Sequence, residues 1–135
     1  MSVPVNSRQK SKLEVCVKAR ELCVYTIKIT SNKNVFTDEF QKPLTDRIVD
    51  TAIRIHYKCW EANNIYVKTE DDRRERLRLQ GEAARLCNVL LSLMDIAKPV
   101  FHLKSQRIIY WGNLTIETRN LIRAWRESDE KRYGT

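Results

Sequence analysis

The sequence predicts an all-α protein, an up-down-up-down antiparallel four-helix bundle. Glycine and proline number only three each, so the tight turns of an all-β fold have few residues to build them. Four segments repeat apolar residues at the 3.6-residue period, and period-two alternation is confined to short patches. The 135 residues suit one domain, and 42% of them are apolar, enough for a core. Short connections make successive helices antiparallel neighbours.

Residues 1–10 are expected to form a flexible basic arm, and residues 11–132 the bundle domain. The opening MSVPVNSRQKSK has no apolar segment of a secretory signal. The first helix is expected from Ser11, a candidate N-cap, to Thr30. Leu13, Cys16, Val17, Cys23, Val24 and Ile27 share one side, and Val15, Ala19, Leu22 and Ile29 a second. A helix apolar around most of its circumference is covered on more than one side. Val15, Ala19 and Leu22 are therefore candidate subunit-interface residues. Arg20 falls within the first apolar side and needs a partner if buried.

SNKNVFTDEF is the strongest loop signal. The second helix begins between Thr37 and Pro43 and ends near Asn63. Leu44, Ile48, Ala52, Ile55 and Cys59 line its core side, widened by Val49, Ile53, His56 and Trp60. After the turn region ANNIYVKTEDD, the third helix spans Glu70 to Phe101. Glu70, Asp71 and Asp72 suit the positive end of its dipole. Its core stripe is Leu79, Ala83, Leu86, Leu90, Leu93, Met94, Ala97 and Phe101, and Pro99 loosens its last turn. The fourth helix lies within Ser105 to Arg132, with Leu114, Thr118, Leu121, Ile122 and Trp125 on its core side. Ile108, Trp111 and Ile116 are further interface candidates. Either the helix breaks at Gly112, or Ile108, Ile109 and Ile116 meet another subunit.

No catalytic constellation is visible. There is no HExxH, P-loop, GxGxxG or GxSxG string, and the carboxylates interleave with Arg and Lys. The two histidines, His56 and His102, suit a satisfied core position and a helix end. The four cysteines form no CxxC pair and fall in apolar helical contexts. They suit buried free thiols in a cytoplasmic protein. Catalytic residues, metal ligands and cofactors are all expected to be none. No apolar run approaches the ~20 residues of a membrane span.

The net charge is +8, from 25 basic against 17 acidic residues, which favours an anionic partner. Arg74, Arg78 and Arg85 share a side of the third helix, and Arg119, Arg123 and Arg126 cluster on the fourth. The planar guanidinium fork suits phosphate. Arg8, Lys10 and Lys12 precede any acidic residue. No element of base readout is present, so contact through phosphate is the expectation.

The strings KLEVCVKARELCVYTIKIT, LTDRIVDTAIRI, AARLCNVLLSLMDIAKPVFHL and TIETRNLIRAW resemble the bacterial four helix bundle protein family. That family includes the accessory variability determinants of diversity-generating retroelements and is similar to proteins of 23S rRNA intervening sequences. The resemblance runs from about Leu13 to Arg126. It implies a basic, barrel-like homopentamer that binds a reverse transcriptase and RNA or DNA, without catalytic residues of its own. The other readings are a bundle that binds only protein, and an intervening-sequence protein with no reverse transcriptase partner.

Overall fold

The computed structural model describes the backbone of residues 5–133 and the side chains of residues 14–132. The described residues form four α-helices and no strand: α1 Val5–Thr30, α2 Asp46–Asn63, α3 Glu70–Phe101 and α4 Ser105–Tyr133. A 3₁₀ turn at Asp38–Phe40 and a π-turn at Gln41–Thr45 carry the chain into α2, with Pro43 inside the π-turn. The helices pack in ring order, α1 on α2, α2 on α3, α3 on α4 and α4 on α1. Cross-helix pairs fix their directions. Thr26 meets Trp111 while Lys18 meets Glu117, so α1 and α4 are antiparallel. Arg76 meets Asp129 while Asn88 meets Arg119, so α3 and α4 are too.

The third helix has the bounds its pattern predicts. Thr69 caps it: its hydroxyl accepts from the Asp72 N–H at 3.1 Å, and the Asp72 carboxylate accepts from the Thr69 N–H at 3.1 Å. His102 closes α3 in the left-handed region, φ 54°, where a residue with a Cβ is strained.

Several expectations need correction. The backbone of α1 begins at Val5, so Ser11 lies inside the helix and residues 5–10 continue it instead of forming a separate arm. Residues 1–4 and the side chains of Arg8, Lys10, Lys12 and Leu13 lie outside the described residues. The two sides of α1 exchange roles: Val15, Ala19 and Leu22 enter the chain's own core, whereas Val24 and Ile27 are exposed. Two threonines decide this phase. Thr26 and Thr30 sit on the Val15–Ala19–Leu22 side and donate to the Leu22 and Thr26 carbonyls, both at 2.8 Å. They can therefore be buried without orphaned hydroxyls. Arg20, on the outer side, is exposed and needs no buried partner.

Helix α4 is unbroken at Gly112. Trp111 is fully buried, its indole N–H donating to the Thr26 hydroxyl at 3.0 Å. Trp60, expected on the core side, is 57% exposed, and Ile53 beside it is also exposed.

The bundle's two ends differ in chemistry. At one end Phe36 folds from the loop onto Phe101, ring centroids 4.7 Å apart, with Trp111 edge-on at 6.5 Å and Phe40 against Phe101. At the other end lies a buried ion pair. Arg76 Nε donates to Asp129 at 2.7 Å, with both side chains almost fully enclosed. Arg76 Nη1 also donates to the Ala62 and Ile65 carbonyls, at 3.2 and 3.0 Å. Gln80 donates to the same Asp129 oxygen at 2.6 Å, and the Arg76 guanidinium lies 5.4 Å from the Trp125 ring centroid.

Two stability outcomes follow. Asp129→Asn removes the carboxylate that accepts from buried Arg76 at 2.7 Å and should cost about 3–5 kcal/mol, read as a lower urea midpoint at unchanged m-value. Gly112→Ala should stabilise by about 1 kcal/mol, since an added methyl meets no atom within 4 Å. Thermal unfolding checks the second change, and a lower Tm would contradict it.

Candidate nucleic-acid interface

The arginines named from the helical pattern divide into an ion-paired set and an open set. On α3, Arg74 pairs with Glu70 at 3.5 Å. Arg78 is gripped by Glu75, at 2.6 Å, and by Glu82. Glu82 in turn holds Lys58 of α2 at 3.0 Å. The hydrogen bond from Arg78 holds the Glu75 carboxyl below its ordinary pKa, and that from Lys58 does the same for Glu82. These carboxylates screen Arg74 and Arg78 from an incoming phosphate. Exposed pairs of this kind add little to stability.

Arg126 is a structural residue. Its Nε donates to the Leu77 carbonyl at 3.0 Å, and its Nη1 pairs with Glu130. Gly81 makes room for it: a Cβ there would sit 3.4 Å from Arg126 Nε.

Arg85, Arg119 and Arg123 remain. Arg85 and Arg123 are exposed and have no carboxylate partner among the described residues. Arg119 donates to the neutral Asn88 side chain at 2.9 Å, which joins α4 to α3 without neutralising the charge. Asn88 stands three residues beyond Arg85, one turn along α3. Arg119 and Arg123 both lie within electrostatic reach of the Cys87 thiol. Arg119 and Arg123 thus flank the α3–α4 seam near mid-bundle, with Arg85 exposed on α3 one turn from Asn88. Glu127, four residues beyond Arg123 on α4, is engaged by Lys131 at 3.4 Å. This surface offers forks of donors to an anion.

Lys10 and Lys12 fall on side chains outside the described residues. Of the six interface candidates, Val15, Ala19, Leu22 and Trp111 are enclosed by their own chain and cannot reach a second one. Ile108 packs partly against the core, and Ile116 is exposed. The sequence pattern missed the Arg76–Asp129 pair, although both residues fall on core phases, Arg76 seven before Ala83 and Asp129 four after Trp125. Opposite charges on the core phases of two helices were the available signal.

All four thiols are free; Cys59 and Cys87 are buried, and Cys16 and Cys23 are half-buried. Among the described residues no group of His, Cys, Asp or Glu could hold a metal ion, and no described helix is long and apolar enough to cross a membrane. No family model, curated protein or solved structure matches the chain.

Burial raises the Cys59 thiol, with smaller contributions from Cys16 and Cys87. Burial also pushes Cys87 up to about 12, against a partial downward pull from Arg119 and Arg123. Only thiolate reacts with disulfide reagents. At pH 8 the native protein should therefore titrate Cys16 and Cys23 far faster than Cys59 and Cys87, and all four should react together in denaturant. Equal native rates would show that the core opens. Because the folded pKa of Cys87 is raised, its stabilising contribution is present below the unfolded value of 9.0 and declines as pH rises towards about 12.

Proposed function

We propose that this protein is a non-catalytic accessory subunit of a diversity-generating retroelement. In this reading it binds the reverse transcriptase and the template RNA or cDNA in the cytoplasm and supports mutagenic cDNA synthesis. The observation that carries the nucleic-acid part is the α3–α4 seam, where Arg85, Arg119 and Arg123 lack carboxylate partners among the described residues. Most other cations of α3 are ion-paired. The net charge of +8 supports the same reading, as does the family resemblance of the four helical strings. The reading includes a homo-oligomer, the pentamer that the resemblance implies, with exposed Ile109 and Ile116 of α4 available to such a contact.

A phosphate-reading surface has a distinctive salt signature. Affinity for single-stranded RNA or DNA should fall with a log–log slope of about 0.7 per phosphate neutralised. Replacing Arg85, Arg119 and Arg123 together by Ala should leave the circular dichroism spectrum unchanged and make the slope shallower. A salt-independent affinity would remove the phosphate mechanism. The retroelement role is tested separately, by template-dependent cDNA synthesis with a co-encoded reverse transcriptase in the presence and absence of this chain. Unchanged cDNA yield and mutation pattern would sink it.

A further inference from the structure

A second surface lies on the other flank of α4. Between α1 and α4 runs an open groove of about 480 Å³, lined by Arg20, Glu21, Val24, Tyr25, Lys28, Tyr110 and Leu114. Its floor is apolar and aromatic: Tyr25 and Tyr110 form a tilted pair with ring centroids 4.9 Å apart at 55°, beside Val24 and Leu114. Val24 is 42% exposed and Tyr110 58%. Arg20, Val24 and Lys28 are spaced by four and share one stripe of α1. Arg20 and Lys28 have no partner among the described residues, so cations without counter-ions bracket an exposed apolar floor. The nearest acids, Glu21 and Glu117, are both held by Lys18, at 3.4 and 3.5 Å.

We propose that this groove docks an acidic segment of a partner protein, one that carries an aliphatic or aromatic anchor between its carboxylates. The spacing matches helix-in-groove recognition, with the anchor over Val24, Tyr110 and Leu114 and carboxylates meeting Arg20 and Lys28. The chemistry of the groove decides against other occupants. This chain's own residues before Glu14 include Arg8, Lys10 and Lys12 with no acid, so that segment would be repelled by Arg20 and Lys28. A nucleic-acid backbone would meet Arg20 and Lys28 but carries no aliphatic anchor for the apolar floor at Val24 and Leu114. The groove is independent of the α3–α4 arginine seam, so either surface can fail its test without the other.

The test uses the full chain and two fluorescein-labelled amphipathic helical peptides with the same leucine pattern, one with Glu and one with Lys at the polar positions. The Glu peptide should bind and the Lys peptide should not. Arg20→Glu with Lys28→Glu should weaken the Glu peptide roughly tenfold or more, and Tyr110→Ala should weaken it to a similar degree. The Arg85, Arg119 and Arg123 replacement should leave it unchanged. Circular dichroism of each variant separates loss of docking from loss of fold, and Tyr110→Phe should retain binding. No binding of the Glu peptide, equal binding of both peptides, or retention by the charge-reversed groove would overturn the proposal. So would displacement of the peptide by oligo(dT), or sedimentation showing self-association that Val24→Asp abolishes.

Discussion

The buried contact between Arg76 and Asp129 is the constraint on which the bundle's register depends. Removing two charges from water costs several kcal/mol per ion, and their attraction offsets most of that cost. The pair therefore adds little net stability. Its effect is to penalise every arrangement that separates the two residues, since each would leave a charge unpaired in the interior. Arg76 also takes up the Ala62 carbonyl at the C-terminal end of α2 and the Ile65 carbonyl just beyond it. One guanidinium thus positions three helices. A slide of α3 by one turn would break all of these bonds together.

With register set there, the flanks of α4 acquire separate characters. Its core line runs through Trp111, Thr118, Ile122 and Asp129. The flank towards α3 carries Arg119, Arg123 and Arg126, and the flank towards α1 carries Tyr110 and Leu114. Intrahelical pairs neutralise much of the charge elsewhere. Among the described residues, Arg85, Arg119 and Arg123 on the α3 and α4 flank and Arg20 and Lys28 on the α1 flank are left without a carboxylate partner.

Much of this was legible from the residues and some was not, for physical reasons. The bounds of α3 and the core stripes of α2, α3 and α4 follow from apolar period, because those helices have one dominant apolar side. Helix α1 has two, and counting apolar residues picks the wrong one. Thr26 and Thr30 behave as core residues once their hydroxyls bond back to the helix, a possibility that hydrophobicity does not score. Trp60 and Trp111 were exchanged for a related reason: a wide apolar arc does not say which edge faces water. Gly112 looked like a break, yet a glycine costs only about 1 kcal/mol in a helix, and buried Trp111 and Leu114 on either side outweigh it. The arginine rows were visible, but which arginines are neutralised depends on contacts across helices, such as Lys58 with Glu82 and Arg126 with the Leu77 carbonyl.

The three tryptophans occupy three different surroundings, which gives the protein an internal set of optical reporters. Trp111 sits dry at the aromatic end, hydrogen-bonded to Thr26. Trp125 lies under the Arg76 guanidinium at the ionic end. Trp60 faces solvent on α2. Single-tryptophan variants would emit at separate wavelengths, with Trp111 bluest and Trp60 reddest. Their signals would tell whether the two ends of the bundle melt together or one after the other.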